Sequence, residues 1–238
     1  MSTPVTFLYE DADLAIVDKP AGVAVIPVPG LAPAECLRDR VAAALATRAW
    51  VVHRIDRDAS GVVVFARTAA AHRVLSLAFE TRDVVTQYAA LVHGVPAPAA
   101  GTIEVSLTDA RRGKARPARP DDAGARAATT AYAVTRTWRD GERRVAEVAA
   151  TPHTERHHQV RVHLRSIGTP LLGDAFYGRA AAAALTGVPV PRLALHAAAI
   201  EVPHPAGGRR VAAAAPWPAD LTALTIWLDA QWTAESTS

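Results

Sequence analysis

Short β-branched runs interleaved with helix-period apolar stripes predict a fold that mixes strands and helices. Three observations carry this. Val5-Thr6-Phe7-Leu8-Tyr9 and Leu14-Ala15-Ile16-Val17 flank the polar Glu10-Asp11-Ala12-Asp13 and predict a β-hairpin. Strand-like alternation over 129–137 and 144–150 surrounds Asp140-Gly141, a hairpin turn signal. After Pro218, the residues Leu221, Leu224, Leu228 and Trp232 recur at helical spacing.

The remaining elements follow in order. Lys19-Pro20-Ala21-Gly22 ends the second strand, residues 27–33 are rich in Pro and Gly and predict a loop, and a helix is expected over 34–47. Val62-Val63-Val64-Phe65 predicts a buried strand. Thr68 can cap a helix whose Val74, Leu75, Ala78 and Phe79 form the apolar side, and residues 84–92 return as a strand. Residues 96–128 are rich in Pro, Ala, Gly and Arg with little periodicity, so they predict mostly loop, or a loose hairpin carrying a basic cluster. A helix over 158–167 places Val160, Leu164 and Ile167 on one stripe and His158, Arg161 and Arg165 on another; Gly168 and Pro170 stop it. The final helix spans 218–232, and Trp217, Trp227 and Trp232 are expected in the core or at an interface.

The chain has 238 residues, of which 50% are hydrophobic and 21% charged. That is a globular composition, and the length predicts a single domain over 1–238, with 96–128 as an insertion. The lone Cys36 excludes an intramolecular disulfide and any paired-cysteine zinc site. An acidic N-terminus and the lack of a long apolar run argue against secretion or membrane spanning, so a cytoplasmic location is expected. Net charge is +3, and the segment 109–126 carries all of it: Arg111, Arg112, Lys114, Arg116, Arg119 and Arg126 against Asp109, Asp121 and Asp122. Such a cluster suits phosphate contacts, although a solvated surface insertion explains it equally well.

Two constellations carry candidate chemistry. His53-Arg54-Ile55-Asp56-Arg57-Asp58 places a histidine and paired charges in a connection between apolar strands, where a core link needs none. His153, His157, His158 and His163 invite a metal reading, but neighbouring His157 and His158 point apart on a helix and no carboxylate or thiolate completes the set, so no metal is expected. Nucleophile-elbow, P-loop and dinucleotide fingerprints are missing, which removes the common hydrolase, NTPase and dehydrogenase readings.

The string HRIDRDASGVVVFART from His53 resembles the HRLD-x-x-T-S-G signature of the RluA-type RNA pseudouridine synthases. Further blocks agree in order: DKPAGVAVIP from Asp18, QYAALVHG from Gln87, HHQVRVHLRSIGTPLLGDAFYG from His157 and RLALHAAAIEVPHP from Arg192. The resemblance implies an α+β pseudouridine synthase fold, with a central, mostly antiparallel sheet, flanking helices and an RNA-binding cleft. The chain starts at the first hairpin of that fold, so no S4 domain is expected before it. The implied reaction isomerises a uridine in ribosomal or transfer RNA without cofactor or metal. Asp56 matches the family's nucleophilic aspartate, Tyr88 its active-site tyrosine and Arg161 the partner of the carboxylate. Arg54 is expected to help hold the target nucleotide extruded, His53 to contact RNA, and Arg111, Arg112, Lys114 and Arg116 to bind the RNA as well. A monomer is expected. Ala59, Thr86, Glu155 and His157 depart from the family's usual Thr, Lys, Gly and Ser/Thr. A different class, an RNA-binding assembly or chaperone factor with little catalysis, is the alternative; nucleoside analysis of treated RNA separates the two.

Overall fold

The computed structural model describes residues 4–28 and 36–235. In chain order the elements are β1 (Thr6–Glu10), β2 (Leu14–Lys19), α1 (Leu37–Ala44), β3 (Trp50–Val51), β4 (Ser60–Ala66), α2 (Ala69–Glu80) and β5 (Val85–His93). They continue with β6 (Ala100–Glu104), β7 (Leu107–Ala110), β8 (Lys114–Pro117), β9 (Thr129–Asp140), β10 (Arg143–Pro152), α3 (Gln159–Ser166) and α4 (Arg179–Ala182). The last are β11 (Leu195–Pro203), β12 (Arg210–Ala214), α5 (Ala219–Gln231) and β13 (Thr233–Glu235). The class is α+β, as expected. The chain divides into two compact units, Met1–Thr86 with His196–Pro216, and Gln87–Leu195 with Trp217–Ser238.

The first unit is built around β4, every residue of which is buried. Its Val62-Val63-Val64-Phe65 run has apolar neighbours on both faces, which is why the sequence lacks alternation there. β2 pairs with it antiparallel from Leu14–Ala66 to Lys19–Gly61, and β1 pairs with β2. On the other edge, β3 pairs antiparallel at Trp50–Ala66, while β11 pairs parallel at His196–Ser60 and Ala197–Gly61. Gly61 has φ +113°, and a Cβ there would collide with the Ala197 carbonyl, so the strands can approach only through glycine. The expected hairpin turn is fixed by Asp11, whose Oδ1 accepts the N–H groups of Asp13 and Leu14. In α2, Thr68 Oγ1 accepts the Ala71 N–H at 3.0 Å, as a cap should. The buried stripe is Ala71, Leu75 and Ala78. Val74 lies exposed beside Leu77, because the sheet-facing side is centred one residue away from the expected one. The helix expected over 34–47 is shorter, Leu37–Ala44, and residues 29–35 lie outside the described part.

In the second unit β10 pairs with β5 and β9, and β9 with β6 and β13, all antiparallel. Gly141, with φ +59°, makes the β9–β10 turn where Asp140-Gly141 predicted it. α5 buries Leu221, Leu224 and Leu228 against Trp138, Leu91 and Trp232, with Trp217 and Trp227 packed at the rim. The three tryptophans therefore serve the core. Residues 96–128 are more ordered than the sequence suggested: β6 joins β9, and β7 and β8 form a hairpin with Arg111 and Arg112 in its turn and Lys114 and Arg116 on β8, while Arg119 and Arg126 lie beyond it.

Candidate active site and family

Asp56 lies in the connection between β3 and β4 and is half-buried. Its loop is held from the side of the first hairpin. Lys19 closes β2, is 0% exposed and donates to the carbonyls of Pro20, Val23, Arg57 and Ala59 at 2.5–2.9 Å. A buried ammonium survives only when its donors are satisfied, and here the acceptors are the backbone just after Asp56 and that of the turn after β2. The Gly22 N–H donates to the Arg57 carbonyl, and the Ala59 N–H to the Asp56 carbonyl, which tightens the turn. Ala59, one of the departures from the family pattern, thus contributes its carbonyl to the clamp. We expect Lys19→Met to lower the melting temperature by roughly 10 °C, since several buried carbonyls lose their donor at about 1–3 kcal/mol each. Thermal denaturation of the purified variant checks this, and a shift within about 2 °C would remove Lys19 from the clamp.

His53 and Arg54 precede Asp56 on the same loop, and they face different surroundings. Arg54 is exposed, as a nucleotide contact requires. His53 is 8% exposed and stacks on Phe79 at 4.7 Å between ring centroids. Burial pushes its pKa down to about 4, so the imidazole is neutral near pH 7 and supplies no cation for RNA. Stacking on Phe79 of α2 fixes the start of the loop.

Tyr88 and Arg161 belong to the second unit. Tyr88 is half-buried on β5, opposite Ala150 of β10. Arg161 departs from its expected setting on a polar stripe: it is buried on α3. Its Nε donates to Asp174 Oδ2 and its Nη2 to Asp174 Oδ1, both at 2.8 Å. Asp174 Oδ1 also accepts the backbone N–H groups of Phe176 and Tyr177 at 2.9 and 3.0 Å. Burial alone would raise the pKa of this carboxyl, but the guanidinium and the two amides outweigh it and hold the group below the usual carboxylate range. Asp174 therefore orients Arg161 and shapes the 174–177 turn together. Its position in Gly-Asp-x-x-Tyr-Gly was the available signal, although nothing in that spacing alone identifies an arginine partner.

Around this pair, Tyr177 Oη accepts the Ala115 N–H at 2.8 Å and lies 2.8 Å from His158 Nδ1. His158 enters α3 in the left-handed region with φ 54°, and His157 stacks on it at 3.8 Å. His163 is engaged by Thr130 Oγ1 and the Val105 carbonyl, so it is not disposed as a metal ligand. Asp11, Asp13 and His204 approach within 4.8 Å of one another in the first unit. Asp11 is already committed there, to the two turn amides, Tyr9 Oη and His204 Nε2, which marks the group as a turn lock.

The hairpin cations also divide. Arg116 forms a bidentate pair with Asp122 at 2.6 and 2.7 Å, which neutralises the charge expected for a phosphate. Arg111 is exposed, and Lys114 reaches over the ring of Phe176. The Arg112 side chain lies outside the described part.

A family profile described as RNA pseudouridylate synthase matches residues 13–166, a span that includes Asp56, Tyr88 and Arg161. The chain belongs to the RNA pseudouridylate synthase family. It is 36% identical over 212 residues to the dual-specificity RNA pseudouridine synthase RluA of Escherichia coli, covering 88% of this chain and 91% of the relative. It is 37% identical over 236 residues to the ribosomal large subunit pseudouridine synthase D of Xanthomonas campestris, covering 93% of this chain and 68% of that one. The fold is also that of the human RNA pseudouridylate synthase domain containing 4, with a TM-score of 0.75 and 24% identity over 98% of this chain and 95% of that chain. Asp174 and the turn it shapes lie beyond the span matched by the family profile, so their part in this synthase comes from the geometry above.

Proposed function

We propose that this protein converts uridine to pseudouridine within ribosomal or transfer RNA. The observation that carries the reading is sequence similarity over nearly the full length of a dual-specificity RNA pseudouridine synthase, together with the presence of Asp56, Tyr88 and Arg161 at the matching motif positions. In this reading the Asp56 carboxylate attacks the nucleoside while the N1–C1′ bond breaks. The uracil turns and bonds through C5 to C1′ as the Asp56 oxygen leaves C1′; C5 then gives up its proton and N1 takes one up, so that the reaction is a net isomerisation. Tyr88 supplies the ring against which the target base stacks, and Arg161 the positive charge that favours an ionised carboxylate. Arg54 holds the target nucleotide out of its stack, since C1′ and C5 of a paired base are out of reach.

The clamp on the Asp56 loop supports this reading in physical terms. A nucleophile must stay within a few tenths of an ångström of its attack position, and Lys19 holds the backbone just after Asp56 through the Arg57 and Ala59 carbonyls. The test is direct: purified protein is incubated with unmodified RNA transcripts, and the digested nucleosides are resolved by mass spectrometry. Pseudouridine should appear at a few defined positions with no added metal or cofactor. Retention of RNA binding with no conversion would instead favour the assembly-factor alternative.

A further inference from the structure

Phe176 is 45% exposed, unusual for a large apolar ring in a short turn. Its position is not loose. The Phe176 N–H is held by Asp174, its ring meets Tyr177 edge-on at 6.2 Å, and the buried Arg161 guanidinium lies 5.4 Å from its centroid. The Lys114 ammonium lies 5.2 Å from the same centroid. Among the described residues Lys114 has no carboxylate partner, in contrast to Arg116 on the same hairpin, which Asp122 neutralises. An exposed ring held in place, with a cation over it that no described carboxylate neutralises, offers a nucleotide both of the contacts it can use. The base stacks on the ring, and the phosphate takes the ammonium.

We propose that Phe176 and Lys114 form a binding platform for one unpaired nucleotide of the RNA strand, separate from the nucleotide that reacts. The platform rests on the RNA reading above, and it adds a position that neither the motif resemblance nor the family match assigns. Because Asp174 holds both Arg161 and the Phe176 amide, the platform is tied to the arginine of the candidate site through one carboxylate. The His157–His158 stack borders it, with His158 5.8 Å from the Phe176 ring.

The experiment measures binding by fluorescence anisotropy, using a fluorescein-labelled RNA stem-loop with a uridine-rich loop and the same RNA carrying abasic loop residues. Phe176→Ala should bind the first RNA about tenfold more weakly, the order expected for one stacked base, and Phe176→Trp should restore it. On the abasic RNA, wild type and Phe176→Ala should bind alike. Lys114→Gln should weaken both RNAs and reduce the slope of log affinity against log salt by roughly 0.7, the value for one single-strand phosphate contact. Ile226→Ala, which removes another exposed apolar side chain, should change nothing. Equal affinity of Phe176→Ala and wild type for the uridine-rich loop overturns the platform, as does an equal loss on the abasic RNA. Failure of the wild-type protein to bind either RNA overturns the RNA reading with it, whereas binding without uridine conversion overturns only the catalytic reading.

Discussion

Asp56→Asn should reduce conversion of uridine to pseudouridine by at least about a thousandfold, with melting temperature and RNA affinity close to wild type. The amide is nearly isosteric with the carboxylate but cannot serve as the nucleophile, and loss of a covalent step costs several factors of ten in rate. The structure makes this a clean substitution. The Lys19 clamp on the Asp56 loop includes four backbone carbonyls, contacts that do not depend on the Asp56 side chain. Single-turnover nucleoside analysis gives the answer, and a rate within about tenfold of wild type would falsify the nucleophilic role.

The second large effect is expected at Asp174. Asp174→Asn removes the negative charge opposite a buried guanidinium, and breaking such a pair from one side typically costs about 3–5 kcal/mol. For a chain of this size that corresponds to a fall in melting temperature on the order of 10 °C. Asp174→Ala should fall further, because the Phe176 and Tyr177 amides also lose their acceptor. The pH dependence has a defined sign. The folded-state pKa of Asp174 is depressed, so its contribution is present above the unfolded value, roughly 4, and is lost as pH drops through the folded value. The melting temperatures of wild type and Asp174→Asn should therefore converge as the solution is acidified below about pH 4. Parallel curves across that range would mean that the pair contributes nothing to folding.

Much of the fold was legible because local signals agreed with tertiary demands. Thr68 caps α2, Asp140-Gly141 turns β9 into β10, and the Leu221, Leu224 and Leu228 stripe faces the core. What stayed hidden was set by partners distant in the chain. β11 contains His196-Ala197-Ala198-Ala199, a run with helix propensity, and becomes a strand because Gly61 admits it beside β4. β6 sits in a Pro- and Ala-rich stretch and is specified by its pairing with β9. At the candidate site, the motif named Asp56, Tyr88 and Arg161 but not their supports. A lysine at a strand end gives no sign that it will be buried under four carbonyls, and an aspartate thirteen residues after an arginine gives none that the two will pair. His53 and Arg116, expected to contact RNA, also have partners within the protein that their residue types did not announce, an apolar ring and a carboxylate respectively.

The parallel pairing of β11 with β4 also bears on biosynthesis. The first unit takes its closing strands from His196–Pro216, so the ribosome must make Gln87–Leu195 before β4 receives its second long neighbour. At about 5–20 residues per second that interval lasts on the order of 5–20 s. Throughout it, residues 60–64, an uncharged stretch without proline that β3 does not reach, present an open edge of the kind that nucleates intermolecular β-pairing. Nascent chains stalled before residue 196 should therefore depend on holdase chaperones to stay dispersed, and chains released after residue 216 should not.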